Sequence, residues 1–397
     1  MSLAVMRSTT LVTILSLTAF CVCGSGCSYF QSGSTDEDID IAEIDEPLKD
    51  DEDDYKPKEA WSDTSLKKGT VVVRLKIGDR FPLSKTVERR LTQIDKEGTH
   101  VSSSRAEFMI TLVIDNILAD GRKQISAHYQ RIRYEQDIQG NRIVYSSDQP
   151  QDQVPQDALL YSGLVNNGFS FWIGSDNKVI DVSEFNEFLQ RCLRNVPAQY
   201  QAALQRQLES TRGEGYIASF IDDSIGLIPY DSNLTHPDIA LKPGTVWELA
   251  PQMCETPIPM TTNTRCVLKE LSTDSAEVLL TGRISGSPNS ITIQNSEADI
   301  KVLVKGGHST GSCRIDRKTG FPTDSRIQRS VELVVELPDG QKIQQIKESR
   351  STVAAIPDSS QKPSFGSEPQ AEQTSFPNES QNNEQRRVVR AEGFRQN

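Results

Sequence analysis

Apolar and polar residues alternate along most of this chain, and the alternation gives way to a helical period in the middle. Val71–Ile77 alternates and runs into Gly78-Asp79, a turn. Phe81–Ile94 and Glu107–Leu118 are rich in β-branched and apolar residues, which fit a pleated surface. Asp120-Gly121 separates Ile110–Leu118 from Gln124–Tyr134, a strong hairpin signal. Gln139-Gly140-Asn141 then separates Tyr134–Ile138 from Arg142–Tyr145. Short turns of this kind cannot join parallel strands, so the opening is an antiparallel meander.

The period changes after residue 180. Phe169–Ile173 and Lys178–Val182 read as a hairpin across Ser175-Asp176-Asn177. Asp181 with Glu184 matches a capping box. Phe185, Phe188, Leu189, Cys192, Leu193 and Val196 then fall on one face of a helix. Pro197 suits the first position of a second helix carrying Tyr200, Leu204 and Leu208, and Tyr216–Ile221 fits a short third. Packing on a sheet explains these stripes at lower cost than a partner surface.

Alternation returns in Thr245–Ala250, Thr264–Leu271, Ala276–Ile284, Ile291–Ile293, Asp299–Lys305, Ser312–Asp316, Ser325–Leu337 and Lys342–Val353. Pro338-Asp339-Gly340 marks another hairpin. Leu75-Lys76-Ile77-Gly78-Asp79-Arg80-Phe81 is echoed by Leu241-Lys242-Pro243-Gly244-Thr245-Val246-Trp247, each ahead of long strands. The pattern predicts an α+β fold, mostly antiparallel β. Its form is a curved sheet or half-barrel with a helical insertion near 183–223, and two related halves are a candidate subdivision.

Charge changes the picture at the ends. The net charge is −12, yet Ser34–Glu59 alone holds thirteen Asp/Glu against three Lys. A body spanning 66–356 is therefore nearly neutral, and the acidity belongs to a tether, 27–65. A run of like charges without aromatics stays extended. The acidic run Asp50–Asp54 lacks the turning Gly and the bidentate Glu that a calcium loop needs. The tail, 357–397, is rich in Ser, Gln, Pro and Asn and predicts disorder.

Before the tether stands Arg7, an apolar run Leu11–Val22 and Gly24-Ser25-Gly26-Cys27. Twelve residues are too few to span a bilayer, which takes about 20. Residues 1–26 fit a secretory signal, with translation starting at Met1 or Met6. The small residues before Cys27 resemble the lipobox of bacterial lipoproteins. That resemblance implies cleavage before Cys27, acylation of its thiol, and a periplasm-facing place in the bacterial envelope, inner or outer membrane unresolved.

The strongest chemical motif is Gly307-His308-Ser309-Thr310-Gly311, a match to the nucleophile elbow of esterases. The elbow needs a helix after the serine and a histidine further on, and neither follows. The expectation is a Gly-rich hairpin loop, with a serine hydrolase at Ser309 as a remote alternative. His100, His128, His236 and His308 are too dispersed for a zinc spacing. No nucleotide-binding loop occurs, and no basic patch on the body points to nucleic acid. No cofactor and no catalytic or metal residues are therefore expected. Cys254 and Cys266 flank a Pro- and Thr-rich loop, and a bridge there would contribute about 3 kcal/mol. Cys192 with Cys313 is a second candidate pair, and buried free thiols fit as well. Trp61, Trp172 and Trp247 with Phe169 and Phe171 fit either a core or a cavity wall.

Several turn motifs carry a family resemblance: Leu75–Asp79, Asp120-Gly121, Lys242–Trp247 and Ile315–Pro322, with the Thr86–Ile94 strand. On these the body resembles a family of bacterial envelope lipoproteins of unknown function. More distantly the plan is similar to clam-shaped envelope lipoprotein carriers, whose curved sheet shelters acyl chains against helices. The expected protein is thus a non-enzymatic binding or scaffolding module held to a membrane through Cys27, with an envelope protein as partner. The alternative that the resemblance implies is a carrier of a lipid or other hydrophobic ligand.

Overall fold

The fold is set by one sheet whose strands differ in what covers them. The structure is a computed structural model. It describes residues 74–149, 154–174, 179–194, 241–249, 251–254, 258–293 and 300–356, with a few positions between 196 and 201. The strands are β1 (Arg80–Ile94), β2 (Thr99–Ile117), β3 (Lys123–Ile138), β4 (Asn141–Ser146), β5 (Asn167–Ile173) and β6 (Val179–Ser183). After the helices come β7 (Val246–Glu248), β8 (Gln252–Cys254), β9 (Met260–Leu271) and β10 (Ser275–Gly286). β11 (Ile291–Ile293), β12 (Ile300–Asp316), β13 (Pro322–Glu336) and β14 (Lys342–Ala355) complete the sheet. All pair antiparallel in the order β6-β5-β3-β2-β1-β14-β13-β12-β10-β9-β7, with β4, β8 and β11 as short additions. The path has two ends, β6 and β7, so the sheet is not a closed barrel. Both edge strands are short, which limits pairing with other chains.

The hairpins follow their turn residues. Gln139 and Gly140 have φ of 52° and 87°, and positive φ at both central residues is what the I′ turn of a two-residue hairpin requires. Asp120-Gly121 closes a three-residue loop: Leu118 N–H donates to Arg122 O at 2.9 Å, and Gly121 N–H to Leu118 O at 3.0 Å. Pro338-Asp339-Gly340 repeats that geometry, with Leu337 N–H to Gln341 O at 2.8 Å and Gly340 N–H to Leu337 O at 2.9 Å. In both loops the Asp carboxylate accepts from the backbone two residues on.

The seven-residue echo is a structural repeat. Gly78 N–H donates to Ile114 O at 2.8 Å while Ile114 N–H donates to Asp79 O at 3.0 Å. Gly244 N–H donates to Leu268 O at 2.7 Å while Leu268 N–H donates to Thr245 O at 2.9 Å. Gly78 and Gly244 share φ near +90°, at 89° and 86°. Each turn docks on a later strand and feeds a strand that pairs with it, β1 on β2 and β7 on β9.

Two short helices, α1 (Leu159–Leu164) and α2 (Phe185–Leu193), are inserted in the first half. The sequence period placed α2 correctly, with Phe185, Phe188 and Cys192 buried. The capping box is not formed. Asp181 lies in β6, and Glu184 holds the N-cap in a left-handed conformation at φ 57° with no side-chain cap. Pro197 O accepts backbone N–H bonds from Tyr200 and Gln201, so a turn of helix begins at Pro197. The stretch carrying Leu204, Leu208 and Tyr216–Ile221 lies outside the described residues. Residues 306–311 are not a loop. They continue β12, paired on both sides with β10 and β13, so the two strands expected there are one. The glycines permit this: a Cβ at Gly307 or Gly311 would collide with the backbone carbonyls of Ser330 or Arg326.

Candidate ligand-binding face

Register decides which side chains share a face, because successive residues of a strand point to opposite sides. α1 and α2 lie on one face. Their Tyr161 stacks on Tyr134 of β3 at 4.2 Å, and Phe188 approaches Phe169 of β5 at 5.0 Å and Tyr129 of β3 at 6.3 Å. Asn167 and Arg191 lock α2 down: Arg191 Nη2 donates to Gly168 O at 2.6 Å and its Nε to Asn167 Oδ1 at 2.9 Å. Helix–helix contact is close enough that a Cβ on Gly163 would strike the Cys192 backbone.

Followed across the sheet, this helix-bearing face is apolar at both ends. Under the helices it gathers Phe108, Ile110, Leu112, Ile125, Tyr129, Ile132, Phe169 and Phe171. At the far end Cys266, Leu268, Val278, Leu280 and Cys313 meet Leu241 and Trp247. A third group, Ile284, Val302, Val304, Leu333, Val335 and Ile343, joins β10 to β14.

The middle differs. One transverse row reads Gln136, Ser104, Arg89, Ser349, Arg329, Ser309, Gly282, Thr264 from β3 to β9, each opposite the next. It contains no apolar side chain. The next row sets Lys347 between Leu91 and Val331. On the other side Lys85 stands between Phe108 and Val353, and none of its surface is exposed. Gln93 and Gln345 are opposite each other, 5% and 1% exposed. Gln345 Nε2 has no hydrogen-bond partner. A buried donor left this way costs about 1–3 kcal/mol. Four cations therefore stand on this stretch of the face, over β1, β14 and β13. Among the described paired strand positions of the whole face none is Asp or Glu. The carboxylates at the described paired strand positions lie on the opposite face, where Glu88 meets Arg105 at 3.3 Å and Glu277 meets Lys269 at 2.8 Å.

Residues 120–322, just over half the chain, match the model of a protein family described as a family of unknown function, DUF6263. The chain belongs to this family. No curated protein matches it. Among solved structures, a lipovitellin structure titled for its lipid–protein interactions aligns with 74% of this DUF6263 chain at 13% identity and a TM-score of 0.36. The DUF6263 chain spans 27% of that protein's length. An outer membrane channel from Pseudomonas putida F1 aligns with 72% of the chain and 97% of its own, at 8% identity and a TM-score of 0.16. A DUF1329 family protein from Desulfovibrio piger aligns with 70% of the chain and 87% of its own, at 9% identity and a TM-score of 0.12. Likeness at these TM-scores decides nothing about function.

The residues singled out in the sequence fall as follows in this DUF6263 member. Ser309 is 8% exposed in mid-strand on the helix-bearing face, and His308 points to the opposite one. The strand-to-helix turn of a nucleophile elbow is absent at that position. His100 lies 3.7 Å from Asp95. Among the described residues no group of three or more His, Cys, Asp or Glu gathers as a metal site. Cys192 and Cys313 are buried free thiols, and Cys266 is buried as well. Burial pushes Cys192 and Cys313 up to about 12. Cys192 packs under the helices and Cys313 at the far end, so the structure does not bring these two together. Phe169 and Phe171 face the helices, whereas Trp172 alternates away from them. Cys27, Trp61 and His236 lie outside the described residues, as does the side chain of Cys254. The basic stretch escaped notice because its members are dispersed from 85 to 347. A signal existed locally: Lys85 sits in phase with Leu83 and Val87, and Arg329 with Ile327 and Val331.

Proposed function

We propose that this DUF6263 protein is a lipid-anchored component of the bacterial envelope that holds a hydrophobic ligand on the helix-bearing face of its sheet. The observation that carries the reading is the division of one sheet into two unlike faces. One carries ion-paired side chains, and the other is apolar beneath the helices and again around Trp247, with a polar stretch between. Ligand sites are apolar surfaces with a few placed polar groups, and this face has that composition. Anchoring rests on the sequence, through the signal at 1–26 and the small residues before Cys27. The acidic tether, 27–65, would stand the body off an anionic membrane by charge and by length.

Native mass spectrometry of protein extracted from its own membrane tests both parts. The expected spectrum carries an acyl mass on Cys27 and a second, non-covalent mass released on denaturation. Cys27→Ser removes the first and leaves the second. A protein that carries no ligand, and takes up no apolar dye afterwards, would not be a carrier.

A further inference from the structure

We propose that the apolar ligand of this face carries an acyl ester, and that Gln345 holds it by donating a hydrogen bond from Nε2 to the ester carbonyl. This rests on the carrier reading and specifies the group that reads the ligand. Gln345 stands on β14 between Gln93 of β1 and Leu333 of β13. On the same face Ile343 is two residues before it, and Leu91, Val331 and Val335 take diagonal positions. These aliphatic groups are all buried and can neither give nor take a hydrogen bond. Gln345 itself is 1% exposed, and its Nε2 has no hydrogen-bond partner. That setting decides the chemistry of the complement. An amide nitrogen offers two N–H donors, so the matching group is an acceptor. Among aliphatic side chains an ionised acceptor would lose its hydration for one neutral hydrogen bond, so the acceptor is uncharged. The nearby cations leave this unchanged, because Arg89, Arg329 and Lys347 each already interact with other groups of the protein. An ester supplies acceptors and no donor, and it joins two apolar chains. A plain alkane would leave the buried donor unmet. Gln93 is 5% exposed and brings a second amide to the same row. The apolar path continues on both sides: Leu91 lies ahead on β1, and Leu333 leads across to Val304 of β12.

The test uses the full-length protein and two fluorescent polyene probes of one chain length, ending in a methyl ester and a methyl ether. Each affinity is referred to that probe's own partition from water into hexadecane. The ester is then expected to bind about fivefold tighter than the ether. Gln345→Leu is expected to bring the two within about twofold while ether binding stays unchanged. That variant replaces an unmet buried donor by an aliphatic group, so its thermal midpoint is expected to match or exceed that of the unaltered protein. An isotopically labelled ester carbonyl gives a second readout. Its infrared stretch is expected at lower wavenumber in the complex than in hexadecane, and back at the hexadecane position in the Gln345→Leu complex. The readings on the unaltered protein stand if the variant fails to fold. Equal referred affinities, or a carbonyl stretch at its hexadecane position, overturn the ester assignment and leave the carrier reading in place. Binding of neither probe overturns the carrier reading itself. A preference that survives Gln345→Leu shows that another group meets the carbonyl, and it too overturns the assignment.

Discussion

The two halves of the sheet start alike and end differently. Each opens with a Gly turn docked on its neighbour through the same pair of backbone bonds, at Gly78 and at Gly244. From there the first half buries aromatic rings under two helices, and the second relies on aliphatic groups, small residues and a single tryptophan. The contrast shows how one strand-forming pattern supports two kinds of packing. Large rings on β3 and β5 present apolar area to one side, and the two helices cover it with rings of their own. Glycines on β12 bring three strands together closely enough that no side chain intervenes. The cations stand between the two halves, on the strands that join them.

The comparison breaks most sharply at its helical end. Phe188→Ala removes a ring with no exposed surface from beneath α2, and a loss of about 3–5 kcal/mol is expected in urea unfolding. Leu333→Ala, 1% exposed in the other half, should cost about 2–4 kcal/mol. If Leu333 proved the costlier site, the helix-covered end would not be the better packed. Next come the close approaches. Gly163→Ala forces α1 off the Cys192 backbone and Gly311→Ala forces β12 off the Arg326 carbonyl, each at about 1–3 kcal/mol. Thermal melts of the two variants measure whether helix–helix and strand–strand contacts are equally intolerant.

The shared turns predict equality. Gly78→Ala and Gly244→Ala both place a Cβ in the left-handed region, and each should destabilise by about 1–2 kcal/mol. A difference above about 1 kcal/mol between them would mean that the repeat is geometric but not energetic. The thiols give the smallest effect. Cys192 and Cys313, one in each half, are both raised by burial to about 12 from 9.0. The folded state therefore keeps protons that the unfolded state releases. Stability is complete below the unfolded value and falls as pH rises from there toward the folded one. From about pH 8 to about pH 9.5 the loss should be roughly 1 kcal/mol per thiol. Cys192→Ala and Cys313→Ala should each flatten that alkaline slope, read from urea midpoints.

Some of the site was legible beforehand and some was not. Phe169, Phe171, Phe185 and Phe188 announced themselves through local period, because alternation and helical spacing are properties of neighbours in the chain. Ser309 drew attention through a motif whose glycines serve strand pairing instead. Lys85, Arg89, Arg329 and Lys347 were invisible as a group. They belong together only after β14 pairs with β1, which joins positions more than 200 residues apart in sequence.

The sequence by itself determined the class of fold, the hairpin turns, the face that α2 buries and the echo at Gly78 and Gly244. Each depends on interactions within a few residues, where backbone preference and side-chain period suffice. The tertiary structure decided that β12 is continuous through Gly306–Gly311, that α2 starts without its side-chain cap, and that four cations share one face. Those outcomes depend on register between distant strands. A shift of one residue would move every side chain to the other side, and only the summed packing of both halves fixes which side that is.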